Sequence, residues 1–147
     1  MNNSVDLWTT QSLAAAITEL GEASGLSCIP VEGSGVIEVT LGSAGDLVLH
    51  VAVSDTQILT SAILWPRSAQ EDPAAFEAMM LRTHKTLLPL CALSIDVVDG
   101  EDVYELFGAV SRSASLTEIL EEFSAIAESA LELAKDIGPR STEGDAA

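Results

Sequence analysis

Apolar positions change their period several times along this chain, and each change marks an element. Over residues 9–23, Leu13, Ala16, Ile17 and Leu20 recur at helical spacing, which predicts a first helix with Gly25 as its stop. Leu7 and Trp8 precede this stripe and are placed to dock on the same core. The period then drops to two. Val36 to Leu41 is rich in β-branched residues, and Gly42-Ser43-Ala44-Gly45 is a turn. Leu47, Leu49, Val51 and Val53 alternate with Val48, His50 and Ala52, and Ile58 to Trp65 makes a further strand closed by Pro66. Three short strands with short links predict an antiparallel meander. Cys28 to Val31 adds a candidate edge strand, where Pro30 is tolerated.

Helical spacing returns at Asp72-Pro73. Asp can cap the free N–H groups of a second helix, and Pro fits its first position. Phe76, Met79, Met80, Thr83 and Leu87 form one broad face, and Pro89 ends the helix. Cys91, Leu93, Ile95 and Val97 then alternate with polar or small residues. Asp99-Gly100 signals a hairpin, and Val103 to Val110 returns as the partner strand. Ser115-x-x-Glu118 predicts a capping box for a third helix. Its apolar stripe is Leu116, Ile119, Leu120, Phe123, Ile126, Ala127, Ala130, Leu131 and Ala134, with Glu118, Glu121, Glu122, Glu128 and Glu132 facing elsewhere. Gly138-Pro139 stops it. The order α-β-β-β-α-β-β-α predicts an α+β fold in which two antiparallel strand groups join into one sheet covered by helices. The other sheet face, or the long third helix, is left for a partner. Residues 1–137 are expected to form a single α+β domain and residues 138–147 a disordered acidic tail.

Composition narrows the function. With 147 residues, 48% of them apolar and 20% charged, the chain can bury a core of its own. Aromatics are 4%, so that core rests on Leu, Ile, Val and Ala. The formal net charge of −17 opposes binding to nucleic acid and to an anionic membrane surface. It suits solubility, or capture of a basic or exposed-apolar partner. No Lys or Arg precedes Arg67. Cys28 and Cys91 form no CxxC pair, which fits buried thiols in a reduced cytoplasmic setting. The first residues lack the pattern of a signal peptide. No apolar run approaches the roughly 20 residues of a membrane span, so no direct membrane insertion is expected.

Candidate chemistry is sparse. His50 sits inside a strand pattern and reads as a structural histidine. Arg82, His84 and Lys85 form the one basic cluster. They can complement the dipole at the end of the second helix, or they can grip a carboxylate. Two His and two Cys without ligand spacing predict no metal site. Glu121 and Glu122 read as a solvated helix surface. GxSxG, Walker A and GxGxxG motifs are absent, so no catalytic residue and no cofactor is assigned. Ser111, Ser113 and Ser115 suit a turn and a cap.

Leu81-Arg82-Thr83-His84-Lys85 with Leu87-Leu88-Pro89-Leu90 resembles one signature of the YjfI-like family of bacterial proteins. Glu105-Leu106-Phe107-Gly108-Ala109-Val110-Ser111, continued by Ser115-Leu116 to Glu121, resembles its second signature. The resemblance implies no enzymatic activity and a protein partner of the phage-shock, PspA-like membrane-stress kind. Arg82, His84 and Lys85 of the first signature, and Phe107 and Ser111 of the second, are the candidate binding residues. The element order is also similar to that of class I type III secretion chaperones, which are small, acidic and dimeric. The sequence therefore predicts a non-enzymatic protein-binding module, chaperone-like or adaptor, with a homodimer as a further expectation. The alternative is a small-anion-binding or enzymatic domain built on Arg82, His84 and Lys85.

Overall fold

A computed structural model of the chain describes residues 6–31 and 33–139; the predicted tail beyond Pro139 lies outside the described residues. Helix α1 (Thr10–Glu19) starts at Thr9, whose hydroxyl accepts from Ser12 N while Ser12 Oγ accepts from Thr9 N. This reciprocal cap was not foreseen. The helix is shorter than the 9–23 stretch because Gly21 and Gly25 adopt φ of 74° and 75°, closing a short 3-10 turn at Glu22–Ser24.

Six strands follow in one antiparallel sheet: β1 (Leu26–Val31), β2 (Val36–Leu41), β3 (Leu47–Val53), β4 (Gln57–Pro66), β5 (Ala92–Val98) and β6 (Glu101–Ser111). The sheet order is β1-β2-β3-β4-β6-β5. The expected edge strand is real, and the β5–β6 hairpin docks through β6, leaving β5 as the other edge. Asp99 and Gly100 both take positive φ, 52° and 78°, as a tight turn between twisted strands requires. Between β4 and β5 runs α2 (Pro73–Leu87), capped by Asp72 Oδ1 accepting from Ala75 N. After β6 comes α3 (Leu116–Asp136).

All three helices pack on one face of the sheet. Ile37, Val39, Leu49, Val51, Ile58, Ala62, Tyr104 and Leu106 point to that face and are buried against Leu13, Ile17, Phe76, Met80, Ile119, Phe123 and Ile126. Trp65, Phe76 and Tyr104 form an aromatic triad with centroids 4.9–6.4 Å apart, and Trp65 Nε1 donates to Gln70 Oε1 at 2.9 Å. At the far end, Arg112 Nε and Nη2 donate to Trp8 O at 3.0 and 2.8 Å, and Trp8 Nε1 donates to Ala114 O at 2.7 Å. These bonds pin the start of the chain to the end of β6.

The third helix differs from the predicted stripe. Leu131 is 50% exposed and Ala134 is exposed, while Leu133, Ser129 and Glu122 are buried. Ile119, Phe123, Ile126, Ala127 and Ala130 of the predicted stripe are buried, and Leu116 and Leu120 pack against the core; the buried face is turned toward residues 122, 129 and 133 at its margin, which leaves Leu131 and Ala134 outside it. Glu122 is therefore not a solvated surface residue. The capping box is half formed: Ser115 Oγ accepts from Glu118 N at 3.1 Å, without the return bond.

Candidate binding surfaces

The strand register defines the face opposite the helices. Ile29, Glu38, His50, Ser61, Phe107 and Ala92 lie in one row across all six strands. Val31, Val36, Ala52, Leu59 and Ala109 form the next row, and Ile63 stands opposite Glu105. None of these side chains belongs to the core cluster or packs against it. Ile29 is 65% exposed and Ile63 42%, while Phe107 and Leu59 are shielded only partly by their neighbours on the same face. A face of this kind, apolar and uncovered, is uncommon on a protein with no partner.

Beside the neutral side chains Thr40, Ser61 and Ser94, its carboxylates set the charge. Glu38, Asp96, Glu101 and Glu105 lie on this face, and none of the six strands contains Lys or Arg. His50 Nε2 stands 3.6 Å from Glu38 Oε1. Partial burial and then the neighbouring Asp96 carboxylate push the Glu105 carboxyl above its ordinary range, and Ser94 Oγ donates to it at 3.5 Å.

A second apolar surface lies where α2 crosses β5. A groove of about 260 Å³ is lined by Glu77, Met80, Leu81, His84, Leu93, Ile95 and Tyr104. Leu81 is 77% exposed at its rim, and Ile95 and Val97 are exposed beside it. Glu77 organises the floor: it accepts from Arg67 Nε and from Tyr104 OH, each at 2.6 Å. The Arg67 bond, then the Tyr104 bond, hold the Glu77 carboxyl below its usual range. Burial, then the bond to Glu77, raise the Tyr104 phenol. This network was not found in the sequence, because its members come from three elements whose packing no local pattern encodes.

The five candidate binding residues fall in different places. His84 turns onto β5, where Nε2 accepts the backbone N–H of Leu93 at 2.9 Å. Arg82 and Lys85 are exposed on α2 and line no pocket with His84. Phe107 stands on the bare sheet face. Ser111 is exposed at the end of β6, where its hydroxyl meets Ser113 Oγ at 2.8 Å and accepts from Ser113 N.

A buried acid lies on the covered face. Glu122 is 5% exposed, and burial pushes its carboxyl up to about 7. Gly108 makes the space: a Cβ there would come within 2.7 Å of Glu122 Cδ. Burial raises the nearby Cys91 thiol; the adjacent Ser129 works against that shift and the Glu122 charge adds to it. Neither cysteine is fully buried, contrary to expectation; Cys28 Sγ lies 3.3 Å from Thr18 Oγ1 and 3.4 Å from Ala14 O. Among the described residues no group of three or more His, Cys, Asp or Glu is placed to hold a metal ion, and no helix is long and apolar enough to cross a membrane.

One antiparallel sheet with helices on a single face defines an α+β fold of the type III secretion chaperone-like kind. Within that class, the chain belongs to the family described as "Uncharacterized protein conserved in bacteria (DUF2170)", which matches residues 7–139. The protein YjfI of Escherichia coli strain K12, and that of strain O157:H7, are each 30% identical over 129 residues, covering 87% of this chain and 93% of the relative. Among solved structures, YbjN of E. coli, described as a candidate transcription regulator, superposes with a TM-score of 0.64 at 15% identity, covering 90% of this chain and 95% of that one. The ExsC–ExsE complex gives a TM-score of 0.51 at 11% identity with the same coverage.

Proposed function

We propose that this protein is a non-enzymatic protein-binding module, chaperone-like or adaptor in action. The observation that carries the reading is the bare sheet face: apolar side chains in ordered rows, with no helix over them, on a chain of net charge −17. Folding leaves such a face exposed at a cost in solubility, which a partner offsets. The ExsC–ExsE structure, a complex of two proteins on a similar fold, supports the reading by analogy of architecture. The family resemblance points first to a PspA-like membrane-stress protein as partner. We further propose a cytoplasmic location and a homodimer as the working form.

The test is co-purification from native cells under gentle conditions. The expected result is a protein partner in fixed stoichiometry, lost in high salt or on substitution of exposed apolar residues. Repeated recovery of the protein alone would overturn the reading. So would turnover of a metabolite by the purified chain that is abolished by changing one polar side chain.

A further inference from the structure

We propose that the bare sheet face receives a basic amphipathic helix of a partner protein, laid across the rows that contain Ile29, Ile63, Leu59 and Phe107. This deepens the protein-binding reading and rests on it.

Three observations lead there. The first is charge. Carboxylates are the charged groups that the strands place on this face: Glu38 on β2, beside the β1 edge, and Asp96, Glu101 and Glu105 toward β5. His50, already beside Glu38, is the one group there that can become cationic. An acidic helix would be repelled, and a neutral one would leave these carboxylates desolvated without partners. Lys or Arg flanking an apolar stripe answers both the greasy rows and the acids between them.

The second observation concerns the sheet edges, which are the other way to add a partner segment to a sheet. Both are blunted. On β5, the N–H of Leu93 is taken by His84 Nε2, and that of Val97 by Asp96 Oδ1 at 2.8 Å. On β1, Pro30 removes a donor near the end of the strand, and the N–H of Leu26 is taken by Ser24 Oγ at 3.1 Å. An extended peptide finds few free ladder groups at either edge, so the incoming segment lies on the face. A helix satisfies its own backbone and is the form that packs on a sheet face.

The third is position. Phe107 is the largest side chain on this face and sits in the row that crosses the whole sheet, flanked by Ser61 and Ala92. Its ring is half-buried between small neighbours, and aromatic side chains so placed are the anchors that dominate binding surfaces.

The probe is a synthetic helix of roughly 18 residues with one Leu face and Lys elsewhere. Controls are its Glu counterpart and a scrambled Leu/Lys peptide. Binding to the full chain is followed by fluorescence anisotropy across a salt series. The Leu/Lys helix should bind, and the Glu helix and the scramble should not. Ile63→Ser with Phe107→Ser should weaken binding about tenfold or more. Glu38→Gln with Glu105→Gln, a change that leaves the face packing intact, should weaken it at low salt and flatten the salt dependence. Leu81→Ser, at the α2–β5 groove, should change nothing. Loss of binding on Leu81→Ser with none on the face variants would overturn the proposal. Equal binding of the Glu helix, no binding at all, or a dimer in sedimentation equilibrium that Ile63→Ser with Phe107→Ser dissolves would do the same. A native partner that still co-purifies with the face variants would sink this surface and leave the broader reading standing; absence of any partner from the wild type would sink the broader reading.

Discussion

The two faces of the sheet are made from the same strands, residue by residue, yet they serve different ends. On β6, Leu106 is sealed beneath the helices and Phe107, the next residue, stands on the bare face. On the covered face Tyr104 OH is fitted to Glu77, while Thr60 Oγ1 is buried without a hydrogen-bond partner. On the bare face apolar and acidic groups lie side by side, and the carboxylates are held by single contacts at most, as Glu101 is by Ser68 Oγ at 2.9 Å and Glu105 by Ser94 Oγ at 3.5 Å. The contrast teaches that alternation sets which side chains share a face, and that only the helices decide which face becomes core.

The strongest test of that contrast uses the neighbouring pair. Leu106→Ala should lower the unfolding free energy by about 3 kcal/mol, the cost of a buried cavity. Phe107→Ala should cost less than about 1 kcal/mol, since that ring lies outside the core. Urea denaturation of the two variants gives both numbers. Equal losses would mean that the bare face is structural.

Acid–base behaviour tests the covered face next. Burial raises Glu122 from its ordinary 4.5 to about 7. The folded state therefore binds the proton more tightly than the unfolded chain. The stability this contributes is fully present below about 4.5 and is lost as pH rises through about 7. The difference between the two limits is about 3 kcal/mol. Glu77 runs the other way: its lowered carboxyl contributes stability above the ordinary range that is lost as pH falls. In stability measured from pH 4 to pH 8, Glu122→Gln should remove most of the decline on the alkaline side, leaving the smaller part that the raised Glu105 carboxyl contributes, and leave the acid side unchanged. A decline undiminished by the substitution would place its origin elsewhere.

The Gly108 contact gives a smaller and more specific effect. Gly108→Ala brings a methyl to 2.7 Å from the Glu122 carboxyl carbon, so one of the two must shift. A loss of about 1–3 kcal/mol is expected. Most of it should vanish in the background of Glu122→Ala, which empties the space. Equal losses in both backgrounds would show that the backbone, not the side chain, resists the change.

The element order, the antiparallel sheet and the edge strand at Cys28–Val31 were legible in the sequence because each rests on a local signal: a period, a Gly-rich turn, an Asp-Pro start. The possibility of an uncovered face was legible too, since Val48, His50 and Ala52 oppose a full set of apolar positions. Of the candidate binding residues, Phe107 stands on that face, but the basic cluster does not come together. His84 looked like part of a basic cluster because Arg82 and Lys85 flank it, but successive residues on a helix point about 100° apart, and only His84 reaches Leu93. Glu122 read as surface because it follows Glu121. One step along the helix moved it under Gly108, a contact that joins residues 14 apart in sequence and leaves no periodic trace.

The finest comparison is between two polar contacts, one on each face. Tyr104 OH donates to Glu77 Oε2 at 2.6 Å above a buried ring, and Arg67 holds the same carboxylate from the other side. Tyr104→Phe leaves the ring packing and removes the hydroxyl, so it should cost about 1.5 kcal/mol, the low end for a hydrogen bond to a charged acceptor, because Glu77 keeps Arg67 as its second partner. His50 and Glu38 stand 3.6 Å apart, both half open to water. Glu38→Gln should therefore change stability by less than about 0.5 kcal/mol, because solvent already screens that pair. If the two substitutions prove equal, the pair on the bare face is shielded from water to the same degree as the covered one, and some part of the chain or a second copy lies over it.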